Sequence, residues 1–398
     1  MATILLIIIY LAFISLGLPD SLLGATWPNM RLDFGAPVDA AGYISIIVVV
    51  GTIISSLAST AVLKRLGTGR VTFISVAVTA ISLLGFSYTH SLILLGALAL
   101  PLGLGAGSID AGLNNYVATH YKAHHMSWLH CFWGIGAMTG PIIMSGFISA
   151  GESWRKGFLT VSLIQFALVV VLFLSLPLWK RAEKNTLTTA HEAHPEAAAL
   201  IPPADNVMKI KGVKLALLTF LFYCGVETTL GLWGSSYLVN VKDMSTAAAA
   251  GWVSLYYGGI TAGRFITGFV TFRFTNKALI RAGLLISLLG GVVLALPLPD
   301  MFALVGFILV GLGCAPIFPC MLHETPVRFG KANSQKIMGY QMALAYTGSA
   351  ILPPLLGWVA ARTTFMIVPP VLIGYVLVMV LCSEKINRLM HSAASKAS

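Results

Sequence analysis

Apolar runs of about twenty residues recur twelve times along this chain, at about 3–26, 39–62, 71–89, 92–120, 127–150, 157–179, 212–239, 246–270, 278–297, 301–322, 334–359 and 364–382. A helical run of that length crosses the roughly 30 Å hydrocarbon core of a bilayer. An open strand in hydrocarbon would leave backbone N–H and C=O groups without partners, so helix is the expected state of each run. The 398 residues are 57% hydrophobic and 10% charged, whereas a soluble domain carries about 25% charged residues. The sequence therefore predicts an all-α integral membrane protein with twelve transmembrane helices.

The formal net charge is +11, but the basic residues form no patch of the kind that binds nucleic acid. They fall in alternate loops. Lys64, Arg65, Arg70, Lys122, Arg273, Lys277, Arg281, Arg328, Lys331, Lys336, Lys385 and Arg388 lie on one side, with the basic stretch from Lys180 to Lys214. The opposite loops hold only Arg31, Arg155, Lys156, Lys242 and Arg362. Basic loops stay in the cytoplasm, so both termini are expected there, in a cell membrane such as a bacterial inner membrane. The first run lacks a basic flank and contains Asp20, so it reads as a retained helix rather than a cleaved leader.

The polar stretch EKNTLTTAHEAHPEAAALIPPADN has no apolar period and divides the chain in two. This gives an N-terminal six-helix bundle at 1–183, a cytoplasmic linker at 184–208 and a C-terminal six-helix bundle with a short tail at 209–398. The HEAH run within it, His191 to His194, reads as solvated linker, and no metal or other cofactor is expected. Cys131, Cys224, Cys314, Cys320 and Cys382 all fall in apolar runs and read as packing residues. No Walker loop, nucleophile elbow or dinucleotide fingerprint is present, so the chain does not read as an enzyme.

The two halves are related. Asp20 is followed by Gly24 and Trp27 in the first run, and Glu227 by Gly231 and Trp233 in the seventh. GLGAGSID from Gly103 answers GLGCAPIF from Gly311, and Gly136 with Pro141 answers Gly348 with Pro353. Parallel repeats of this kind build transporters whose solute site lies near the midplane between the halves.

Asp20, Asp110 and Glu227 sit inside membrane-length runs. A charge at the centre of such a helix costs roughly 2.5–3.5 kcal/mol on insertion scales, and acids kept there usually face water and bind a proton, ion or polar solute. Each has a plainer reading as well: a bond to a polar group on a neighbouring helix for Asp20, packing through Asn114 for Asp110, and a cross-helix pair for Glu227.

Three motifs make the chain resemble the major facilitator superfamily, and within it the fucose/galactose/glucose:proton symporter family. They are DAGLNNY from Asp110, YCGVETTLGLW from Tyr223 and GLGCAPIFP from Gly311, together with GLPD in the first run. The chain departs from the family pattern in having Asp110 rather than Glu, and Asn115 where proline is common. The resemblance implies the major facilitator fold, two pseudo-symmetric six-helix bundles, with proton coupling at Asp20, Asp110 and Glu227. It also implies gating by the loop KRLGTGR, with Lys64, Arg65 and Arg70, and by its counterpart GRFITG, with Arg264 and then Arg273. A purely topological role for Lys64 and Arg65 stays open.

The expected function is secondary active transport, as proton-coupled symport of a monosaccharide or similar small polar solute by alternating access. Amides and acids can bond sugar hydroxyls, and aromatic faces can cover sugar C–H surfaces. The candidates are Asn114, Asn115, Tyr116, His130, Trp133, Glu227, Trp233, Tyr237, Tyr256, Tyr257, His323 and Gln341. His130 titrates near physiological pH and can join the proton path or simply bond another helix. The expected partners are a small solute and the lipid bilayer, with no nucleic acid, and the protein is expected to be monomeric. Two alternatives stay open: a proton-driven exporter of sugars or amphipathic compounds, and a nutrient receptor that binds solute without moving it.

Overall fold

The computed structural model describes residues 2–121, 123–189, 206–271 and 273–394. The HEAH run and most of the expected linker lie outside these, as do the side chains of Asn115 and a few other helix residues. Among the described residues there is no strand. Thirteen α-helices follow in order: α1 (Ala2–Asp20), α2 (Leu22–Phe34), α3 (Ala40–Leu66), α4 (Thr68–Tyr88), α5 (Leu92–His120), α6 (Ala123–Ser149), α7 (Trp154–Thr189), α8 (Val213–Val241), α9 (Thr246–Val270), α10 (Asn276–Ala295), α11 (Asp300–Phe329), α12 (Lys331–Arg362) and α13 (Val368–Ala394). Each apolar run of the sequence falls in one of them, with α1 and α2 sharing the first. Eleven described stretches are long and apolar enough to cross a membrane, α1 and α2 counting as one. The remaining helix, α9, has the length, but glycines, tyrosines and Arg264 interrupt its apolar run. Leu57, Ile93, Leu174 and Leu381 stand exposed, as expected of helix faces turned to lipid.

The chain divides into two compact units, Met1–Pro195 with Gly234–Tyr257, and Glu196–Trp233 with Gly258–Ser398. The late part of α8 and the early part of α9 thus belong to the first unit. There, Ser235 donates to the Ala25 carbonyl at 3.1 Å, and Ser145 donates to the Ala247 carbonyl at 2.8 Å.

Within the first unit α1 packs on α6, α3 on α5, and α4 on α5 and α7. In the second, α10 packs on α11 and α13. The sequence repeat recurs in the contacts. A Cβ on Gly136 would run into the Ile14 carbonyl oxygen, and one on Gly348 into that of Leu221. Ile14 precedes Asp20 by the same six residues that separate Leu221 from Glu227. Likewise a Cβ on Gly51 would lie 2.6 Å from the Leu100 carbonyl oxygen, and one on Gly259 2.7 Å from that of Ile308. Leu100 and Ile308 each stand three residues before the matched glycines Gly103 and Gly311. Small residues at these points let helix backbones touch, which substitutes in lipid for the missing hydrophobic drive.

The break between α1 and α2 has a local cause. Pro19 has no N–H to give the Ser15 carbonyl one turn earlier, and a carbonyl left bare in hydrocarbon is expensive. Gln165 of α7 fills the gap, donating from Nε2 to the Ser15 oxygen at 2.8 Å. Thr79 of α4 in turn donates to Gln165 Oε1 at 2.6 Å. Gln165 is fully buried. Asp20 is the last residue of α1, immediately before the break.

Candidate functional site

In the first unit, Asp20 is exposed and its Oδ2 accepts the indole N–H of Trp133 at 2.8 Å. The Trp133 ring meets Tyr257 edge to face, 6.2 Å between centroids, and Tyr257 lies 5.0 Å from Tyr256. Gly17 sets the approach of α1 to α6, since a Cβ there would collide with the Trp133 backbone. An acid, an indole and a phenol are thereby brought onto one locus from α1, α6 and α9. Asp110 and Asn114 form a second polar group on α5, one turn apart on the same face, with Asn114 Nδ2 donating to Asp110 Oδ1 at 2.8 Å.

In the second unit, Arg264 of α9 donates to Glu227 of α8 at 3.4 Å, the two side chains 10% and 14% exposed. This near-complete burial holds a cation and an anion together inside membrane-length helices. Tyr223 lies one turn before Glu227 with its ring fully buried. Arg264, read from the sequence as a gate, faces Glu227. Lys64, Arg65, Arg70 and Arg273 are exposed at helix ends.

Several sequence candidates sit in packing environments. Tyr116 is buried in an apolar cluster, its ring 5.1 Å from that of Trp179. Trp233 is fully buried, donates to the Pro353 carbonyl at 2.7 Å and presses on Gly357. Tyr237 and Tyr256 are also buried. Gln341 is buried and accepts from the Thr325 hydroxyl at 3.1 Å. His130 is half-buried with its ring edge-on to Phe13, and His323 is exposed. None of the five cysteines forms a disulfide. Among the described residues no group of histidine, cysteine and acidic side chains has the makings of a metal site. Sequence reasoning missed Gln165 and Tyr223. A lone amide inside the apolar run 157–179 was the available signal for Gln165.

Two repeated sets of long apolar helices, each packed internally through glycines and holding ionisable groups inside membrane-length spans, define a polytopic membrane transporter rather than an enzyme. The chain belongs to the Major Facilitator Superfamily, whose family model matches residues 9–353. It is 24% identical over 385 residues to the glucose/mannose transporter GlcP of Bacillus subtilis (strain 168), covering 95% of this chain and 94% of that protein. Its fold is similar to that of the nucleoside transporter NupG, with a TM-score of 0.72 and 14% identity over 95% of this chain and 98% of that one. It is also similar to the E. coli fucose:proton symporter FucP, with a TM-score of 0.61 and 15% identity over 96% and 98% of the two chains.

Proposed function

We propose that this transporter is a symporter that couples proton entry to uptake of a monosaccharide-sized polar solute by alternating access. The carrying observation is the bond from Trp133 to Asp20, an exposed carboxylate at a helix break, beside the Tyr257 ring. Acids inside membrane spans rarely face lipid, so an exposed one is best accounted for by a water-filled space. A carboxylate accepts hydrogen bonds from sugar hydroxyls, while indole and phenol rings cover C–H faces. The kinship with a glucose/mannose transporter and the fold shared with a fucose:proton symporter favour the same reading.

In the proposed cycle Asp20 takes up a proton on the outer side and gives it up inside, with Asp110 and Glu227 as further coupling groups. Asn114, Trp133 and Tyr257 contact the solute, and both termini lie in the cytoplasm, an orientation the distribution of basic loops supports. One proton moving down about 100 mV supplies roughly 2.3 kcal/mol, enough for about fortyfold accumulation. The test is thermal stabilisation of purified protein by a panel of hexoses, polyols and amphipathic cations, followed by transport in proteoliposomes. Hexose stabilisation and pH-driven hexose uptake are expected. Stabilisation by hydrophobic cations alone contradicts the proposal and favours export of amphipathic compounds.

A further inference from the structure

A cleft of about 590 Å³ opens where α3 turns into α4, lined by the chain from Leu63 to Arg70 and by Leu176, Pro177 and Trp179 of α7. Three of its lining residues, Lys64, Arg65 and Arg70, are cationic and exposed. Among the described residues no carboxylate lines it, and none of the three cations forms an ion pair. Arginines at some other helix ends are held by carboxylates, as Arg155 is by Asp33 at 2.6 Å. Arg281 makes two bonds to Glu384, at 2.7 and 2.6 Å, and Arg328 is held by Glu324 at 2.9 Å. Among the described residues, three cations thus surround a hollow with no carboxylate in its lining.

The backbone adds to the field. Gly67 precedes α4 with a positive φ of 77°, which brings the positive end of that helix to the turn. Gly69 is buried against the Trp179 ring, which gives the cleft an apolar floor. The depth follows from the helices: α3 ends at Leu66, and the membrane-length stretch of α4 begins at Thr68, so the cleft lies where the chain turns between two spans. That is the level of the headgroups, where basic side chains meet anionic lipid.

We propose that this cleft binds a phosphate-bearing anion, the headgroup of an anionic phospholipid or free phosphate. Its volume falls in the range of small-molecule sites and leaves a single phosphate ion loosely held, which favours the lipid.

The experiment is native mass spectrometry of the whole protein with equimolar phosphatidylglycerol and phosphatidylcholine, paired with thermal melts in inorganic phosphate against chloride at equal ionic strength. The wild type is expected to retain phosphatidylglycerol selectively. The variant Lys64→Gln/Arg65→Gln/Arg70→Gln should lose about a hundredfold in that preference, since each basic side chain near an anionic surface is worth about a factor of five. Arg70→Gln alone, the milder change, should lose about fivefold. Lys277→Gln/Lys385→Gln/Arg388→Gln removes equal charge at exposed positions elsewhere and should keep the wild-type preference. Stabilisation by inorganic phosphate that depends on the three cations, without lipid preference, assigns the soluble source. Wild type, triple variant and control responding alike to both ligands overturns the proposal.

Discussion

Trp133 of α6 donates its indole N–H to the carboxylate of Asp20 on α1 at 2.8 Å. The indole therefore both steers the carboxylate and presents a ring to Tyr257. Trp133→Phe keeps the ring surface but removes the donor, and hydrogen bonds to charged groups are worth about 1.5–3 kcal/mol. Because this bond is exposed, its loss should change the melting temperature little, while solute affinity, read as half-saturation of proteoliposome uptake, should weaken as the carboxylate loses its orientation. Unchanged half-saturation would remove Trp133 from the solute site.

Glu227 and Arg264 should behave as a unit. Removing one member of a buried pair strands the other charge and costs about 3–5 kcal/mol, whereas removing both is far milder. Glu227→Gln and Arg264→Gln are each expected to lower the melting temperature markedly, and the double variant to recover much of the loss. Additive losses in the double variant would show that the two side chains act separately.

The Gln165 amide answers a carbonyl that Pro19 leaves bare. Gln165→Leu should destabilise the protein by about 1–3 kcal/mol, the penalty for an unsatisfied buried acceptor. Adding Pro19→Ala restores an N–H one turn above Ser15 and should recover most of that loss in thermal melts. Failure of Pro19→Ala to rescue would mean that Gln165 acts by some route other than the Ser15 carbonyl.

Gly136 and Gly348 occupy matched positions where even a methyl group meets backbone oxygen. Gly136→Ala and Gly348→Ala should each cost at least about 1–3 kcal/mol, the range for overpacking. Gly146→Ala, also in α6 but with open space around it, should be neutral or slightly stabilising. Similar melting temperatures for all three would contradict the matched contacts.

The membrane spans were legible in the sequence because the bilayer imposes length and apolarity on each run, whatever its neighbours do. The repeat was legible through its glycines, since Gly136 and Gly348 must touch backbone and no larger residue can replace them. Rotational facing left no such trace. Arg264 lies in a run that ends at the basic side of the helices, which matched a gate. Its pairing with Glu227 depends on how α9 is turned against α8. Trp233 and Tyr116 carried the right chemistry for a sugar, yet one caps the Pro353 carbonyl and the other fills an apolar cluster. Periodicity marks neither outcome, because inside a membrane bundle packing faces and solute faces draw on the same aromatic residues.

The central claim is that Asp20 carries the coupling proton, and it is tested most directly by comparing two transport modes of Asp20→Asn in proteoliposomes. Under an imposed pH gradient and membrane potential, the variant should fail to accumulate solute above equilibrium, while solute-for-solute counterflow continues. Accumulation equal to that of wild type would contradict the account.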